Sequence, residues 1–135
     1  MKVDGQCHCG AIAFEAELDP ANVVICHCTD CQALTGSAYR AIARADGPSF
    51  KLTRGAPKVY VKKTADNGNL RRHAFCAECG SPIYATSMDE PPPAYSLRLG
   101  NVRQRDQLEP TKQQWRKSAL SWAIDLSSVP SVEKQ

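Results

Sequence analysis

The sequence CAECG at residues 76–80 decides the fold, because it places two cysteines three positions apart and follows them with glycine. Thiolates at this spacing can bind one metal ion from a single tight turn. Gly80 lets the backbone of that turn close without a steric clash from a Cβ atom. Tetrahedral zinc needs four ligands, so the partners of this pair must come from elsewhere in the chain.

Two further cysteine groups can supply those partners. They read CHCG at residues 7–10 and CHCTDC at residues 26–31, and they bring the total to seven cysteines in 135 residues. An odd number cannot be used up in a disulfide framework. Buried cysteines can also act as plain small hydrophobes, but that role explains neither the clustering nor the glycines. The sequence therefore predicts metal binding.

Seven thiolates can divide into a closed four-ligand zinc site and a three-ligand zinc site with one open position. A zinc ion that bound both pairs, at 7–10 and at 76–80, would connect parts of the chain that are far apart in sequence. Closing such a long loop restricts the unfolded chain more than closing a short one does. The closed site would then contain Cys7, Cys9, Cys76 and Cys79, and the open site Cys26, Cys28 and Cys31. A rival division combines part of the triplet with the 76–80 pair and leaves Cys7 and Cys9 without metal.

The three histidines are weak candidates for ligands. His8 and His27 each lie between two cysteines, and in an extended segment the middle side chain points to the opposite face. His73 precedes the 76–80 motif and is expected on a strand. We therefore assign all seven ligands to cysteine.

Short extended segments separated by Gly and Pro predict an all-β domain with little helix. Residues 12–18 alternate apolar and polar side chains, as a half-buried strand does. Further strands are expected at 23–27, 39–44, 50–53, 59–63, 70–75, 83–86 and 95–99. One helical turn is expected at Thr29–Leu34, capped by Thr29 or Asp30. We predict a single zinc-binding β domain at 1–124 and an extended or frayed tail at 125–135.

The amino-acid composition excludes several classes of function. Hydrophobic residues make up 42% and charged residues 23%, which is ordinary for a globular domain. No apolar run is long enough to span a membrane, and no signal peptide is evident, so we expect a reducing cytoplasmic location. The formal charge of +3 falls to about zero with seven thiolates and two zinc ions. The scattered basic residues predict no specific nucleic-acid partner.

Three motifs together resemble the glutathione-dependent formaldehyde-activating enzyme family, which includes relatives of centromere protein V. They are GQCHCG at 5–10, CHCTDCQ at 26–32 running into TGS at 35–37, and RHAFCAECGSPIY at 72–84. The resemblance covers residues 5–122. It implies a β-tent fold with a structural zinc on the 7–10 and 76–80 pairs and a second zinc on the 26–31 triplet.

The resemblance also implies a carbon–sulfur lyase activity, in which glutathione adds to formaldehyde to give S-hydroxymethylglutathione. The partners would be a small thiol and a small electrophile. One position departs from the family, because Gln113 stands where a histidine is often found. Because of this difference, the resemblance does not identify the substrate. The sequence is also compatible with a homo-oligomer.

Candidate substrate contacts lie near the triplet. Asp30, Thr35 and Ser37 could hydrogen-bond to a thiol substrate, although Asp and Thr there could equally cap the short helix. Cations that could pair with carboxylates of a glutathione-like ligand are Arg40, Arg44 and Arg72.

Two alternatives to an enzyme stay open. In one, the chain is a non-catalytic, zinc-stabilised binding module whose surface includes Trp115 and Trp122. In the other, the triplet cysteines oxidise and release metal as a redox sensor.

Overall fold

The computed structural model describes residues 1–135 as a mainly antiparallel β structure with one α-helix. The all-β class predicted from the sequence is confirmed. The strands are β1 (Lys2–Gln6), β2 (Ala13–Cys26), β3 (Arg40–Asp46), β4 (Lys51–Arg54), β5 (Lys58–Lys62), β6 (Arg71–Phe75), β7 (Pro82–Thr86), β8 (Ala94–Arg98) and β9 (Lys112–Gln114). The helix α1 spans Thr29–Thr35. Short 3-10 turns span Gly47–Ser49, Leu99–Asn101, Arg105–Gln107, Arg116–Ser118 and Ser121–Ala123.

The strands form one sheet in the order β1-β2-β3-β8-β7-β6-β5, with β4 and β9 also paired to β2. The first half of β2 pairs with β1 and β4, and the second half pairs with β3 and β9. Only the β2–β9 pair is parallel. The long strand β2 therefore leads from the edge near the first cysteine pair to the triplet.

The structure corrects two details of the predicted strands. The segments 12–18 and 23–27 belong to one strand, and Pro20 lies where its pairing register shifts, between Leu18 and Val23. β1 and β9 were not predicted, because neither has a clear alternation of apolar side chains. In β1, a Cβ atom on Gly5 would lie 2.3 Å from the carbonyl oxygen of Asn101, so this close approach requires glycine.

The core is built mainly from buried side chains of β1, β2, β3, β7 and β8. It contains the fully buried side chains of Phe14, Ile83 and Leu97, and the cysteines Cys7 and Cys76 belong to the same cluster. The first cysteine of each pair, at 7–10 and at 76–80, is thus part of the packed interior. No helix combines the length and the apolar character that crossing a membrane requires.

The C-terminal segment 125–135 is exposed along its whole length. A backbone hydrogen bond from Val129 to Leu126 forms a turn within it. Immediately before it, Arg116–Ser118 and Ser121–Ala123 form short 3-10 turns rather than a regular helix.

Candidate metal centres

Four cysteine sulfurs from two loops that are far apart in sequence lie close together. The loops follow β1 and β6, and all four Sγ atoms lie within 4.8 Å of one another. The Sγ atoms of Cys7 and Cys9 are 3.6 Å apart, and those of Cys9 and Cys76 are 3.8 Å apart. Two thiolates bound 2.3 Å from a tetrahedral zinc ion would be separated by about 3.8 Å. The spacing of these donors therefore fits zinc.

Both loops are closed by a backbone hydrogen bond from a glycine. In each, a glycine N–H donates to the carbonyl of the first cysteine, from Gly10 to Cys7 and from Gly80 to Cys76. Gly80 has a φ of 75°, a left-handed value that side chains with a Cβ atom rarely adopt. The backbone N–H of Ile12 donates to Cys7 Sγ at 3.2 Å, which favours the thiolate.

Ser81 connects the two loops. Its Oγ accepts a hydrogen bond from the backbone N–H of His8 at 3.1 Å and lies 3.2 Å from Cys79 Sγ. The imidazole of His8 is exposed and is not part of the sulfur cluster. Sequence reasoning did not identify Ser81, although its place directly after the CAECG motif was a usable signal.

The remaining three cysteines form a second cluster at the start of α1. Cys26 ends β2, Cys28 is the N-cap, and Cys31 lies in the first helical turn, with all three sulfurs within 4.8 Å. The expectation that Thr29 or Asp30 caps the helix is wrong. The Cys28 sulfur accepts from the backbone N–H of Cys31 at 3.3 Å and takes that role instead.

The sulfurs of this triplet share negative charge. Hydrogen bonding from Cys31 lowers the pKa of Cys26 to about 5, and the same interaction raises the pKa of Cys31. Cys26 is therefore the member of the triplet that ionises most readily. Soft thiolate donors are the ligands that zinc prefers, so this cluster could also hold a metal ion.

His27 lies between two of these cysteines but turns away from them. Its ring is buried, packs edge-on against Tyr39, and places Nε2 2.8 Å from Gln113 Oε1. The alternation of an extended segment explains this orientation. His27 is not a member of the sulfur cluster.

A cavity of about 340 Å³ opens beside the triplet and gives access to Cys28. Its lining includes Cys28, Asp30, Lys62, Thr64, Trp115 and Ser118. Asp30 Oδ2 lies 2.7 Å from Lys62 Nζ and accepts a hydrogen bond from Thr64 Oγ1 at 2.7 Å. Hydrogen bonding from Lys62 lowers the pKa of Asp30, and Thr64 adds to this effect. The cavity therefore contains a fixed ion pair next to a cysteine sulfur.

Of the three predicted polar contacts, only Asp30 lines this cavity. Thr35 Oγ1 donates to the carbonyl of Cys31 at 2.7 Å within the helix, and Ser37 is exposed. Lys62 and Thr64 line the cavity but were not identified from the sequence. They lie more than 30 residues from the triplet, and only the pairing of β5 into the sheet brings them close.

The predicted cations occupy three different environments. Arg40 is buried, and attraction from Cys31 opposes the lowering of its pKa by burial. Arg44 is exposed, and Arg72 pairs with Glu90 and with the carbonyls of Ser87 and Asp89. Only Arg40 is close enough to the triplet to interact with its charge.

The two aromatic residues suggested for a binding surface are both exposed. Trp115 lines the cavity beside Cys28, whereas Trp122 is 60% exposed near the C-terminal end.

The fold and sites thus define a mainly antiparallel β protein with one four-cysteine and one three-cysteine cluster. Residues 2–118 match the sequence profile of the glutathione-dependent formaldehyde-activating enzyme family. The chain belongs to this family.

Two relatives illustrate how far similarity extends. A Schizosaccharomyces pombe protein described as an uncharacterized lyase is 26% identical over 81 residues, or 60% of this chain. The match covers 55% of that relative, so the chain spans about half its length. A Rhodobacter sphaeroides protein of known crystal structure superposes with a TM-score of 0.61 at 24% identity. It covers 82% of this chain and 99% of its own, which supports the fold.

Proposed function

We propose that this protein is a zinc-dependent carbon–sulfur lyase that joins a small thiol, such as glutathione, to formaldehyde or a similar small electrophile. The observation that carries the proposal is the three-cysteine cluster, whose member Cys28 faces an accessible cavity beside the Asp30–Lys62 ion pair. Membership of the formaldehyde-activating family and the lyase description of the yeast relative support it.

The two clusters have different proposed roles. Cys7, Cys9, Cys76 and Cys79 form a closed, structural zinc site, because four sulfurs from distant loops complete a tetrahedron. Cys26, Cys28 and Cys31 form the catalytic site. These three residues would hold a zinc ion, which would supply positive charge that favours the deprotonated form of a substrate thiol at neutral pH.

In the proposed reaction, the thiol sulfur forms a bond to the carbonyl carbon while the C=O π bond breaks. The carbonyl oxygen becomes an alkoxide and takes up the proton released by the thiol, so the atoms and charges balance. Lys62 lines the same cavity and its side chain is only 15% exposed. We assign to it the stabilisation of the alkoxide, and to Asp30 the orientation of its ammonium group.

The proposed setting follows from the chemistry of the sites. All seven cysteines are free of disulfide bonds, and only a reduced cysteine can ionise to the thiolate that binds zinc. We propose a cytoplasmic location because a reducing compartment preserves that form. We propose no specific nucleic-acid partner, and a homo-oligomer is compatible with the proposal.

Exchange spectroscopy can test the activity, because the uncatalysed addition of glutathione to formaldehyde is reversible. Enzyme at catalytic concentration should speed the exchange between glutathione and its hydroxymethyl adduct. Cys28→Ala should abolish the effect, whereas His8→Ala, which changes an exposed residue beside the other cluster, should keep it. Equal exchange rates with and without the wild-type protein would contradict the proposal.

The exposed apolar side chains near the C-terminus favour a second candidate function, a zinc-stabilised binding module. Trp122 is 60% exposed and Leu126 is 56% exposed. Under this alternative both zinc ions are structural and added thiols leave the triplet unchanged. The response of the metal site to glutathione therefore separates the two functions.

A further inference from the structure

A second cavity, of about 430 Å³, is lined by Arg40, the cross-strand neighbour of Cys26, and shares no lining residue with the cavity that exposes Cys28. Its wall combines apolar and aromatic side chains with three nitrogen-rich groups, and includes Leu34, Arg40, Tyr60, His73, Tyr84 and Arg98. A mostly apolar wall with a few fixed polar groups is typical of small-molecule sites. This cavity plays no part in the chemistry assigned above.

The two arginines of this cavity are buried and short of partners. Arg40 is 3% exposed and Arg98 is 6% exposed. Nε and Nη1 of Arg40 and Nε of Arg98 have no hydrogen-bond partner. Neither guanidinium forms an ion pair with a carboxylate, although buried charges are normally paired.

Strand pairing explains why the two groups share a site. Arg40 is the cross-strand neighbour of Cys26, and Arg98 is that of Ile42. Residues 40 and 42 project to the same face of β3, so both arginines lie on the face that carries Cys26. The site is therefore adjacent to the triplet.

His73 fixes the position of Arg98. The guanidinium Nη2 donates to Nδ1 of His73 at 3.2 Å, which places the imidazole proton on Nε2. Burial and the charge of Arg98 lower the pKa of His73 to about 3, so the ring is neutral at physiological pH. His73 therefore orients Arg98 but adds no counter-charge.

The thiolates of the triplet cannot balance both guanidiniums. A zinc ion bound by three thiolates would have a net charge of about −1. Two positive charges would thus face one negative charge. Burial and the charge of Arg40 lower the pKa of Arg98, and attraction from Cys31 and Cys26 offsets only part of this effect.

We propose that Arg40 and Arg98 bind a carboxylate of the substrate thiol, so that the enzyme takes anionic thiols whose carboxylate occupies this cavity while the sulfur reaches the triplet. This inference deepens the proposed function and rests on it for the identity of the molecule. Guanidinium groups bind carboxylates through paired, charge-assisted hydrogen bonds, which would satisfy the free N–H groups.

Three probes separate carboxylate binding from thiol binding in the zinc-loaded protein. S-methylglutathione has carboxylates but no free thiol, cysteamine has a thiol but no carboxylate, and glutathione has both. Calorimetry should detect S-methylglutathione binding to the wild-type protein. Arg98→Met should weaken that binding at least tenfold, and Arg44→Met, which changes an exposed arginine on the neighbouring strand β3, should not.

Arg98→Lys is a second test in case Arg98→Met fails to fold. It keeps the positive charge but cannot form the two parallel hydrogen bonds of a guanidinium to a carboxylate. It should bind S-methylglutathione with intermediate affinity. Cysteamine should perturb the metal site equally in wild type and in both Arg98 variants.

Two results would overturn the inference while leaving thiol addition intact. These are no S-methylglutathione binding to the wild type, or equal binding to wild type and a folded Arg98→Met. If instead S-methylglutathione binds but neither thiol perturbs the metal site, the carboxylate site holds and the proposed reaction fails.

Discussion

His27 Nε2 and Gln113 Oε1 lie 2.8 Å apart and join the cysteine triplet to the last strand of the sheet. The backbone supports the same connection, because His27 N–H donates to the carbonyl of Gln114. Gln32 adds two hydrogen bonds, to the carbonyls of His27 and Ser118. Gln113 therefore holds the triplet loop in place rather than lining the cavity beside Cys28.

Loss of the Gln113 amide should destabilise the protein. Gln113→Ala leaves the buried Nε2 of His27 without a partner, and we expect the free energy of unfolding to fall by about 1–2 kcal/mol. Urea denaturation measures this change. Lys112→Ala, on an exposed neighbour in the same strand, is the control and should change stability by less than about 0.5 kcal/mol. Equal effects of the two substitutions would show that the amide contact adds nothing.

The two cysteine clusters should respond differently to mutation. Cys79→Ala removes a ligand from the site that joins residues 7–10 to 76–80, and should prevent stable folding. Structural zinc contributes on the order of 10 kcal/mol, comparable with a domain's net stability of roughly 5–15 kcal/mol. Cys28→Ala should leave a folded protein with one zinc ion, because its cluster is local.

Thermal melting and zinc analysis of both variants provide the comparison, with His8→Ala as a control that should retain two zinc ions. If Cys28→Ala unfolds the chain as severely as Cys79→Ala, the triplet is a structural site. The catalytic assignment would then lose its main support.

Removal of the Lys62 ammonium group from the cavity beside Cys28 should slow the reaction without releasing metal. We expect Lys62→Met to reduce the enzyme-dependent exchange of glutathione with its adduct by about 100-fold, since a charged group at the developing alkoxide is lost. Lys63→Met changes the exposed neighbour and should have little effect. A Lys62→Met enzyme with wild-type rates would remove Lys62 from the mechanism.

The buried His73 should make the fold sensitive to acid. Its pKa is about 3 in the folded chain, against an ordinary value of 6.5. Between these values the unfolded chain binds the proton more readily, so stability is kept above pH 6.5 and falls as the pH decreases. His73→Asn should reduce the slope of unfolding free energy against pH between about 4 and 6, and the exposed His8→Asn should not. Parallel slopes for wild type and His73→Asn would contradict the assignment.

Nucleic-acid binding should be weak and independent of sequence. The cations are scattered, and zinc loading brings the formal net charge of +3 to about zero. Phosphate binding scales with clustered cations, so we expect no submicromolar affinity for DNA at physiological salt. Fluorescence anisotropy with a labelled duplex measures this. Submicromolar binding would favour the binding-module alternative.

Local sequence patterns predicted the strands and the grouping of the sulfurs, because alternation and cysteine spacing are properties of short segments. β1 and β9 could not be predicted in this way, since β9 has no apolar side chain and depends on its pairing with β2. Lys62 and Arg98 could not be predicted as cavity residues for the same reason. Their positions depend on the order of strands in the sheet, which no local pattern specifies.

The central claim is that the site formed by Cys26, Cys28 and Cys31 has an open position for a substrate thiol. The number of sulfur ligands per zinc ion tests this claim most directly. X-ray absorption at the zinc edge should give an average of about 3.5 sulfur ligands per zinc in the resting protein, and about 4 after glutathione is added. S-methylglutathione should leave the average unchanged. An average that glutathione does not alter, with two zinc ions bound, would contradict the account.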